Sequence, residues 1–169
     1  GRSMFVDYTL PFALSGTRLI TPVGNDGTPA ALTGKTIGVV KNSLAARAME
    51  KSITGAELAL FENPAAALAA LKSGEIQFLA GDSLWLLANR SAVDPAGNVT
   101  PSVPYNRSAV GCVVPENSSG LLNLSNLAIA KLMQAYINDD PNAQSRINQW
   151  VGPGTDVNLS QDVIKAYFT

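Results

Sequence analysis

Two polar side chains stand where a short apolar stretch of this sequence gives way to a helix-forming pattern. Asp82 follows the stretch at residues 75–80 and precedes a helical pattern at 83–88, and Ser43 follows Thr36–Val40 in a similar way. Ligands of open α/β folds bind beyond the carboxyl ends of the strands, where such residues lie. A carboxylate there can hold a cationic group. Each residue is equally suited to the simpler role of helix N-cap, and the two roles are compatible.

The inventory of reactive side chains argues against catalysis and against metal binding. The sequence has no histidine and a single cysteine, Cys112. These counts exclude histidine-based acid–base chemistry, a cysteine-rich metal site and an internal disulfide. We therefore expect no catalytic residue, no metal and no cofactor, and we expect Cys112 to be a small buried apolar residue in a strand.

The distribution of charge excludes another class of protein. The 12 Lys and Arg residues are scattered among 13 Asp and Glu, which gives a net charge of −1. Nucleic-acid-binding proteins instead cluster their basic residues, so we expect no nucleic acid partner. Charged residues make up only 15% of the chain, against about 25% in a typical soluble domain, which fits a secreted or periplasmic protein.

Strand and helix patterns alternate from Thr36 onwards, which predicts an α/β fold with a mostly parallel sheet. Before them, the chain is extended as far as a turn at 12–15, and residues 23–32 form a loop. Two strands are expected late in this section, at 99–103 and 109–114. The last third is helical, and its apolar residues share one helical face that should point inward. These residues are Leu121, Leu124, Leu127, Ala128, Leu132, Ala135 and Tyr136.

Four stretches resemble, in the same order, motifs of the family 3 extracellular solute-binding proteins, which serve polar amino acid transporters. They are RSMFVDYTLPF at 2–12, LTGKTIGVV at 32–40, AALKSGEI at 69–76 with Asp82 soon after, and VVPEN at 113–117. The C-terminal tail is similar to the closing helices of cyanobacterial members. Each motif is short, and their agreement in order along the chain carries the resemblance. Ionotropic glutamate receptor cores share the fold of this family.

The resemblance implies a periplasmic-binding-protein-like (type II) fold with one complete lobe plus the C-terminal part of the other. Lobe 2 would comprise residues 22–107. The partial lobe 1 would comprise residues 1–21 and 108–169, with the crossover strands and the C-terminal helices. Family members carry an opening β-α-β-α-β section that this sequence lacks, so we expect a domain truncated at its N-terminus. The sheet edge exposed by the absent strands favours pairing of two copies into a homodimer.

The resemblance also implies a binding site for a small amino acid. An ammonium and a carboxylate that leave water together each need a fixed partner of opposite charge. The resemblance implies that the planar guanidinium of Arg2 binds the ligand carboxylate and that Asp82 binds the ammonium. By position alone, Arg2 would be a solvated terminal residue. The turn Asn42-Ser43-Leu44 should meet the carboxylate with helix N–H groups, and Asn42 replaces a glycine of many members, which suits a positive φ. Leu44 lacks the hydroxyl common at this position, which disfavours glutamate and favours a neutral or hydrophobic amino acid.

The function implied by the resemblance is periplasmic binding of a small amino acid and its delivery to the permease of an ABC transporter. An alternative is the ligand-binding core of a sensory or ionotropic-receptor-like protein. A less favoured one is a cyclohexadienyl dehydratase-like enzyme, which the absence of histidine and of paired carboxylates near Asp82 opposes. A further alternative is that the chain alone binds nothing, because part of the cleft is absent. Four aromatic residues could line the cleft or belong to the core: Tyr8, Phe12, Trp85 and Tyr105.

Overall fold

The computed structural model describes residues 5–155 and 157–169. The chain divides into two compact units. The first, which we call the α/β unit, is Ser15–Arg107. The second, the helical unit, combines the residues up to Leu14 with Ser108–Thr169. The lobe boundaries predicted at residues 22 and 107 refer to a whole two-lobed protein and stay a prediction.

The helices and strands follow one another along the chain in the alternation that the sequence predicts. In order they are β1 (Val6–Tyr8), β2 (Ala13–Thr21), α1 (Pro29–Leu32), β3 (Thr36–Val40), α2 (Leu44–Ser52), β4 (Glu57–Phe61), α3 (Pro64–Ser73), β5 (Phe78–Asp82), α4 (Ser83–Val93), β6 (Asn98–Thr100), β7 (Arg107–Val110), β8 (Val113–Pro115), α5 (Ser119–Ile137), α6 (Pro141–Val151) and α7 (Gln161–Phe168). Helices α2, α3 and α4 begin where they do because the side chains of Ser43, Asn63 and Asp82 accept hydrogen bonds from their first N–H groups.

One sheet with the strand order β4-β3-β5-β2-β6 forms the frame of the α/β unit. β3 pairs in parallel with β4 and β5, whereas β2 is antiparallel to β5 and β6. The predicted parallel pairing is therefore confirmed for β3, β4 and β5. It does not extend to β2 and β6, which lie outside the β-α-β crossovers that force neighbouring strands to run in the same direction.

The sheet separates two apolar clusters, and the side chains of each strand alternate between them. In β5, Phe78 and Ala80 belong to the cluster that contains α2, and Leu79 belongs to the cluster that contains α3 and residues of α4. We call the first side the α2 face of the sheet. A Cβ at Gly38 in β3 would lie 2.3 Å from Ile76 Cδ1, so the Ile76 side chain would have to move to accommodate it.

In the helical unit, β1 pairs antiparallel with β8, and three helices enclose a small core. Tyr136 is fully buried, its ring meets Phe168 edge-on at a centroid distance of 5.4 Å, and its hydroxyl donates to Asn148 Oδ1 at 2.7 Å. The Lys165 ammonium donates to Asp139 Oδ1 at 2.6 Å, which joins α7 to the end of α5. These contacts hold the three helices together by side chains rather than by a large apolar core.

The apolar face predicted to point inward on α5 is exposed over most of its length. Leu121, Leu124 and Leu127 keep 50%, 65% and 51% of their surface exposed, and Leu132 keeps 36%. Only Tyr136 of the predicted set is fully buried. The helix packs through a neighbouring face, so apolar residues cover two of its sides. A helix with that pattern is ordinarily covered on both.

Other expectations fail where the partner of a segment is distant in the chain. The predicted turn at 12–15 belongs instead to β2, which begins at Ala13, and the loop predicted at 23–32 contains the short helix α1. The strand predicted at 109–114 is divided into β7 and β8 around Gly111, whose Cβ position lies 3.2 Å from the carbonyl oxygen of Thr9. Cys112 follows at this break and is exposed, so its predicted burial is wrong.

Candidate functional site

Asp82 ends β5 and caps α4. Its Oδ1 accepts hydrogen bonds from the backbone N–H groups of Leu84 at 3.0 Å and Trp85 at 3.3 Å. The residue is exposed, and Oδ2 has no hydrogen-bond or ionic partner among the residues that the structure describes. The predicted cap is confirmed, and it occupies only one of the two carboxylate oxygens.

The turn before α2 presents a hydroxyl and two backbone donors. Asn42 has a φ of 57°, the left-handed conformation that asparagine tolerates better than most residues. Ser43 Oγ accepts from the N–H of Ala46 at 3.0 Å, so the Ser43 hydroxyl keeps its own proton for donation. The N–H groups of Leu44 and Ala45 have no acceptor within the described part of the chain. The first turn of α2 is therefore equipped to receive an anion.

The turn at Asn42 and the Asp82 carboxylate lie at the same edge of the sheet. β3 and β5 are neighbouring parallel strands, paired at Gly38 and Leu79, and such strands run about 4.8 Å apart. Both positions follow within a few residues of that pair. The alternation along β5 places Asp82 on the same side as Phe78, which is the α2 face. The start of α2 and Asp82 therefore border one patch of this face.

Sequence reasoning missed Thr17 and Ser15, which β2 brings to the same patch. Thr17 is the direct antiparallel partner of Asp82, and the Cβ atoms of such a pair lie about 4.5–5.5 Å apart on one face of a sheet. Ser15, two residues earlier, places its Oγ 3.5 Å from the N–H of Leu84. The Ser83 hydroxyl donates to the carbonyl oxygen of Gly16 at 2.7 Å and fixes α4 against β2. The only available signal was the alternation of residues 15–21, and the turn assigned at 12–15 obscured it.

Two further charged side chains, Lys41 and Glu62, lie at this sheet edge and neutralise each other. Lys41 follows β3, Glu62 follows β4, and their side chains form an ion pair. The Lys41 backbone N–H also donates to the carbonyl oxygen of Phe61 at 2.9 Å, which continues the pairing of the two strands. Asp82 is thus the acidic group at this edge that has no cationic partner in the described chain.

The two aromatic candidates in the α/β unit lie on different faces of the sheet, Tyr105 on the α2 face and Trp85 on the other. Trp85 packs over Gly81 with the α3 and α4 residues on the opposite face of the sheet. Tyr105 donates its hydroxyl proton to the carbonyl oxygen of Gly27 at 2.5 Å. Burial of the ring, with a smaller effect of the nearby Asp26 carboxylate, raises the pKa of Tyr105 to about 12. Tyr105 is therefore a structural hydrogen-bond donor. The other two candidates, Tyr8 and Phe12, belong to the helical unit.

Arg2, the predicted partner of the ligand carboxylate, lies outside the described residues. Within residues 5–155 and 157–169, no cluster of three metal-ligating side chains is placed to hold an ion. No helix in the same ranges has the length and apolar character needed to cross a membrane.

Solved structures identify the fold. An ancestral arginine-binding protein bound to glutamine aligns with a TM-score of 0.68 and 25% identity over 89% of this chain and 66% of its own. The GluR0 ligand-binding core in complex with L-glutamate aligns with a TM-score of 0.66 and 21% identity over 88% and 65%. The ancestral amino-acid-binding protein AncCDT-1, a precursor of cyclohexadienyl dehydratase, aligns with a TM-score of 0.65 and 18% identity over 88% and 62%. No protein-family model matches the sequence, and neither does any curated protein.

These neighbours confirm the predicted resemblance to family 3 amino-acid solute-binding proteins and the periplasmic-binding-protein-like α/β fold. The chain spans between 62% and 66% of the length of the three neighbours. That fraction is consistent with a domain in which one lobe is only partly represented.

Proposed function

We propose that the α/β unit binds the backbone of a small amino acid, with the ligand carboxylate at the start of α2 and its ammonium at Asp82. One observation carries the proposal: two helix starts on the same patch of sheet offer opposite chemistry. The first turn of α2 has open N–H groups at Leu44 and Ala45, whereas the first N–H groups of α4 are occupied by Asp82. A zwitterion carries one negative and one positive group a few ångströms apart and complements both.

The physical cost of burying charge explains why both groups are needed. Moving an ammonium or a carboxylate out of water without a partner of opposite charge costs several kcal/mol of desolvation free energy. The positive end of the α2 dipole and the Ser43 hydroxyl offset this cost for the carboxylate. Oδ2 of Asp82 offsets it for the ammonium. In the proposal, Arg2 adds the bidentate contact to the carboxylate that the α/β unit does not supply.

The first turn of α2 favours a ligand with a neutral side chain. Leu44 is 58% exposed, so it presents an apolar surface where a serine or threonine would present a donor. Lys41, the nearby cation, is engaged by Glu62. A second carboxylate on the ligand would therefore find no free donor at these positions. We propose a neutral or apolar amino acid rather than glutamate.

For the whole protein we propose extracytoplasmic, specifically periplasmic, capture of this amino acid and its delivery to a transporter permease. The amino-acid-binding neighbours support the ligand class. The GluR0 core supports the second candidate, a ligand-binding core of a receptor. We propose that the protein is not an enzyme, because the sequence has no histidine and the site holds a single unpaired carboxylate. AncCDT-1 marks the alternative, since that neighbour is a precursor of a dehydratase.

We also propose that two copies pair, through helix α5 of the helical unit in addition to the sheet edge expected from the resemblance. Its exposed apolar residues, Leu121, Leu124 and Leu127, lie on a helix whose only charged residue is Lys131. Low charge and exposed leucines are the properties of an interface core. Sedimentation velocity should show a dimer, and Leu124→Asp should shift it to monomer. A wild-type chain that stays monomeric up to the highest concentration measured would exclude this pairing.

The ligand is tested in two steps. A thermal-shift series with the twenty amino acids identifies those that raise the melting temperature, because a ligand of the native state stabilises it. A ¹H–¹⁵N NMR titration with the same compounds then maps the site and detects dissociation constants in the millimolar range. We expect neutral amino acids to shift the amide signals of Leu44, Ala45 and Asp82, and glutamate to bind more weakly. Where the gene encodes a longer protein, that protein is measured alongside. The absence of saturable shifts at these amides with all twenty compounds in both proteins would refute the proposal.

A further inference from the structure

Thr17 is a buried residue next to Asp82, and nothing in its surroundings explains why it carries a hydroxyl. The residue is 2% exposed and lies in the sheet directly opposite Asp82. Its backbone N–H donates to Asn106 Oδ1 at 2.8 Å, and its carbonyl oxygen accepts from the Tyr105 N–H at 2.9 Å. Both backbone groups are therefore held, and the side chain has a fixed direction on the α2 face.

The hydroxyl of Thr17 has no hydrogen-bond partner among the described residues. No fully occluded side-chain oxygen or nitrogen in that part of the chain lacks a partner. The small part of Thr17 that remains accessible therefore includes Oγ1. A hydroxyl buried in a sheet is normally paired, because an unmade hydrogen bond costs free energy. Because Thr17 Oγ1 reaches the surface, it is available to a partner from outside the protein, such as water or a ligand.

The neighbouring threonine on the same face shows the contrast. Thr21 is fully buried in the same strand, and its hydroxyl contacts Thr100 Oγ1 at 2.9 Å and the carbonyl oxygen of Asn25 at 3.0 Å. The protein thus satisfies one buried threonine of β2 internally and leaves the other, beside Asp82, open.

We propose that Thr17 Oγ1 is a second acceptor for the ligand ammonium, beside Asp82 Oδ2. The inference rests on the proposed amino-acid site. An ammonium has three N–H donors, and the Asp82 cap on α4 leaves only one carboxylate oxygen for them. Thr17 supplies a neutral acceptor on the same face, and its Cβ lies about 4.5–5.5 Å from that of Asp82. The two residues together recognise a protonated amine by geometry as well as by charge.

The test compares Thr17→Val, which removes the hydroxyl and keeps the shape, with Thr17→Ser, which keeps the hydroxyl. Thr21→Val is the matched control, since it removes a buried hydroxyl from the same face of the same strand. Each protein is titrated by NMR with L-glutamine and with 4-carbamoylbutanoate, which has the same carboxylate and amide but no ammonium. Thr17→Ala provides a second hydroxyl-free variant where Thr17→Val gives a poorly dispersed spectrum.

We expect Thr17→Val to weaken L-glutamine binding by about 10- to 150-fold, the range for losing one hydrogen bond to a charged group. Thr17→Ser should stay within about threefold of wild type, and 4-carbamoylbutanoate should bind wild type and Thr17→Val alike. Thr21→Val should lower stability and leave both dissociation constants unchanged.

The role of Thr17 would be overturned if Thr17→Val bound L-glutamine within twofold of wild type while Asp82→Asn still weakened binding. That result would leave the amino-acid site standing. Equal losses for both probes would also overturn the role of Thr17, because they would indicate a general distortion. An absence of saturable binding in the wild-type protein would overturn both.

Discussion

Asp82 is predicted to have two separable roles, and two substitutions distinguish them. Asp82→Asn keeps a side-chain oxygen that can cap α4 and removes the negative charge. Asp82→Ala removes both the cap and the charge. The hydrogen bonds from Leu84 and Trp85 to Oδ1 make the cap, whereas Oδ2 is the oxygen proposed for the ligand. Stability should therefore distinguish the two variants, and ligand affinity should not.

The magnitudes follow from the contacts that each variant loses. Replacing an N-cap Asp by Ala costs about 1 kcal/mol of folding free energy, and Asn is about as good a cap as Asp. The loss of a carboxylate at a helix N-terminus costs Asp82→Asn about 0.5 kcal/mol. A charged hydrogen bond to the ligand is worth about 1.5–3 kcal/mol, which corresponds to roughly 10- to 150-fold in affinity. Both variants should lose binding by this factor.

Urea unfolding followed by far-ultraviolet circular dichroism gives the stability of each variant, and NMR titration with L-glutamine gives the affinity. An affinity for L-glutamine within twofold of wild type in Asp82→Asn would remove Asp82 from the site. Equal stability of the Ala and Asn variants would instead show that the cap on α4 contributes nothing measurable. Because the two measurements respond to different oxygen atoms, either part of the reasoning can fail while the other stands.

Three further predictions concern the carboxylate contact, the sheet and the helical unit. Arg2→Ala should abolish detectable binding of carboxylate-bearing ligands in the thermal-shift series, and retained binding would exclude Arg2 from the site. Gly38→Ala should cost about 1–3 kcal/mol in urea unfolding, since its Cβ would lie 2.3 Å from Ile76 Cδ1, and unchanged stability would show that the sheet adjusts freely. The hydrogen bond from Lys165 lowers the pKa of Asp139, so this stabilisation is present above the ordinary aspartate pKa and is lost as the pH falls through the lowered value. Asp139→Asn should therefore lower the urea midpoint at pH 7 and have little effect near pH 2, and an equal effect at both pH values would contradict the ion pair.

The parts of the fold that local signals specify could be predicted from the sequence. Ser43, Asn63 and Asp82 each follow an apolar stretch and precede a helix-forming one, and all three cap helices in the structure. Gly74 ends α3 in a left-handed conformation with a φ of 79°, the usual role of a glycine directly after a helix. Such signals act within a few residues, so one sequence is enough to detect them.

The parts that depend on distant partners could not be predicted in the same way. β2 begins at Ala13 although Pro11 suggests a break, because strand pairing stabilises a segment that local propensity does not favour. The helical periodicity of α5 correctly indicated that one side of the helix is apolar. It gave no indication that Leu121 and Leu124 would be exposed while Tyr136 is buried, because a helix with two apolar sides offers two faces to the core and the pattern alone does not choose between them.

The same division runs through the candidate site. Asp82 and Ser43 were found because parallel strands joined by helices bring every strand-to-helix turn to one edge of the sheet. Thr17 could not be found by that rule, since it reaches the site through an antiparallel pairing whose register, Thr17 opposite Asp82, is fixed by contacts further along both strands. A shift of one residue in that register would turn the Thr17 side chain to the opposite face of the sheet. The second acceptor for the ammonium is therefore encoded in the packing of Leu19 and Ile20 on the two sides of β2 as much as in Thr17 itself. Leu19→Ala alters this packing without touching the site. It should therefore weaken L-glutamine binding, and an affinity equal to that of wild type would contradict this reasoning.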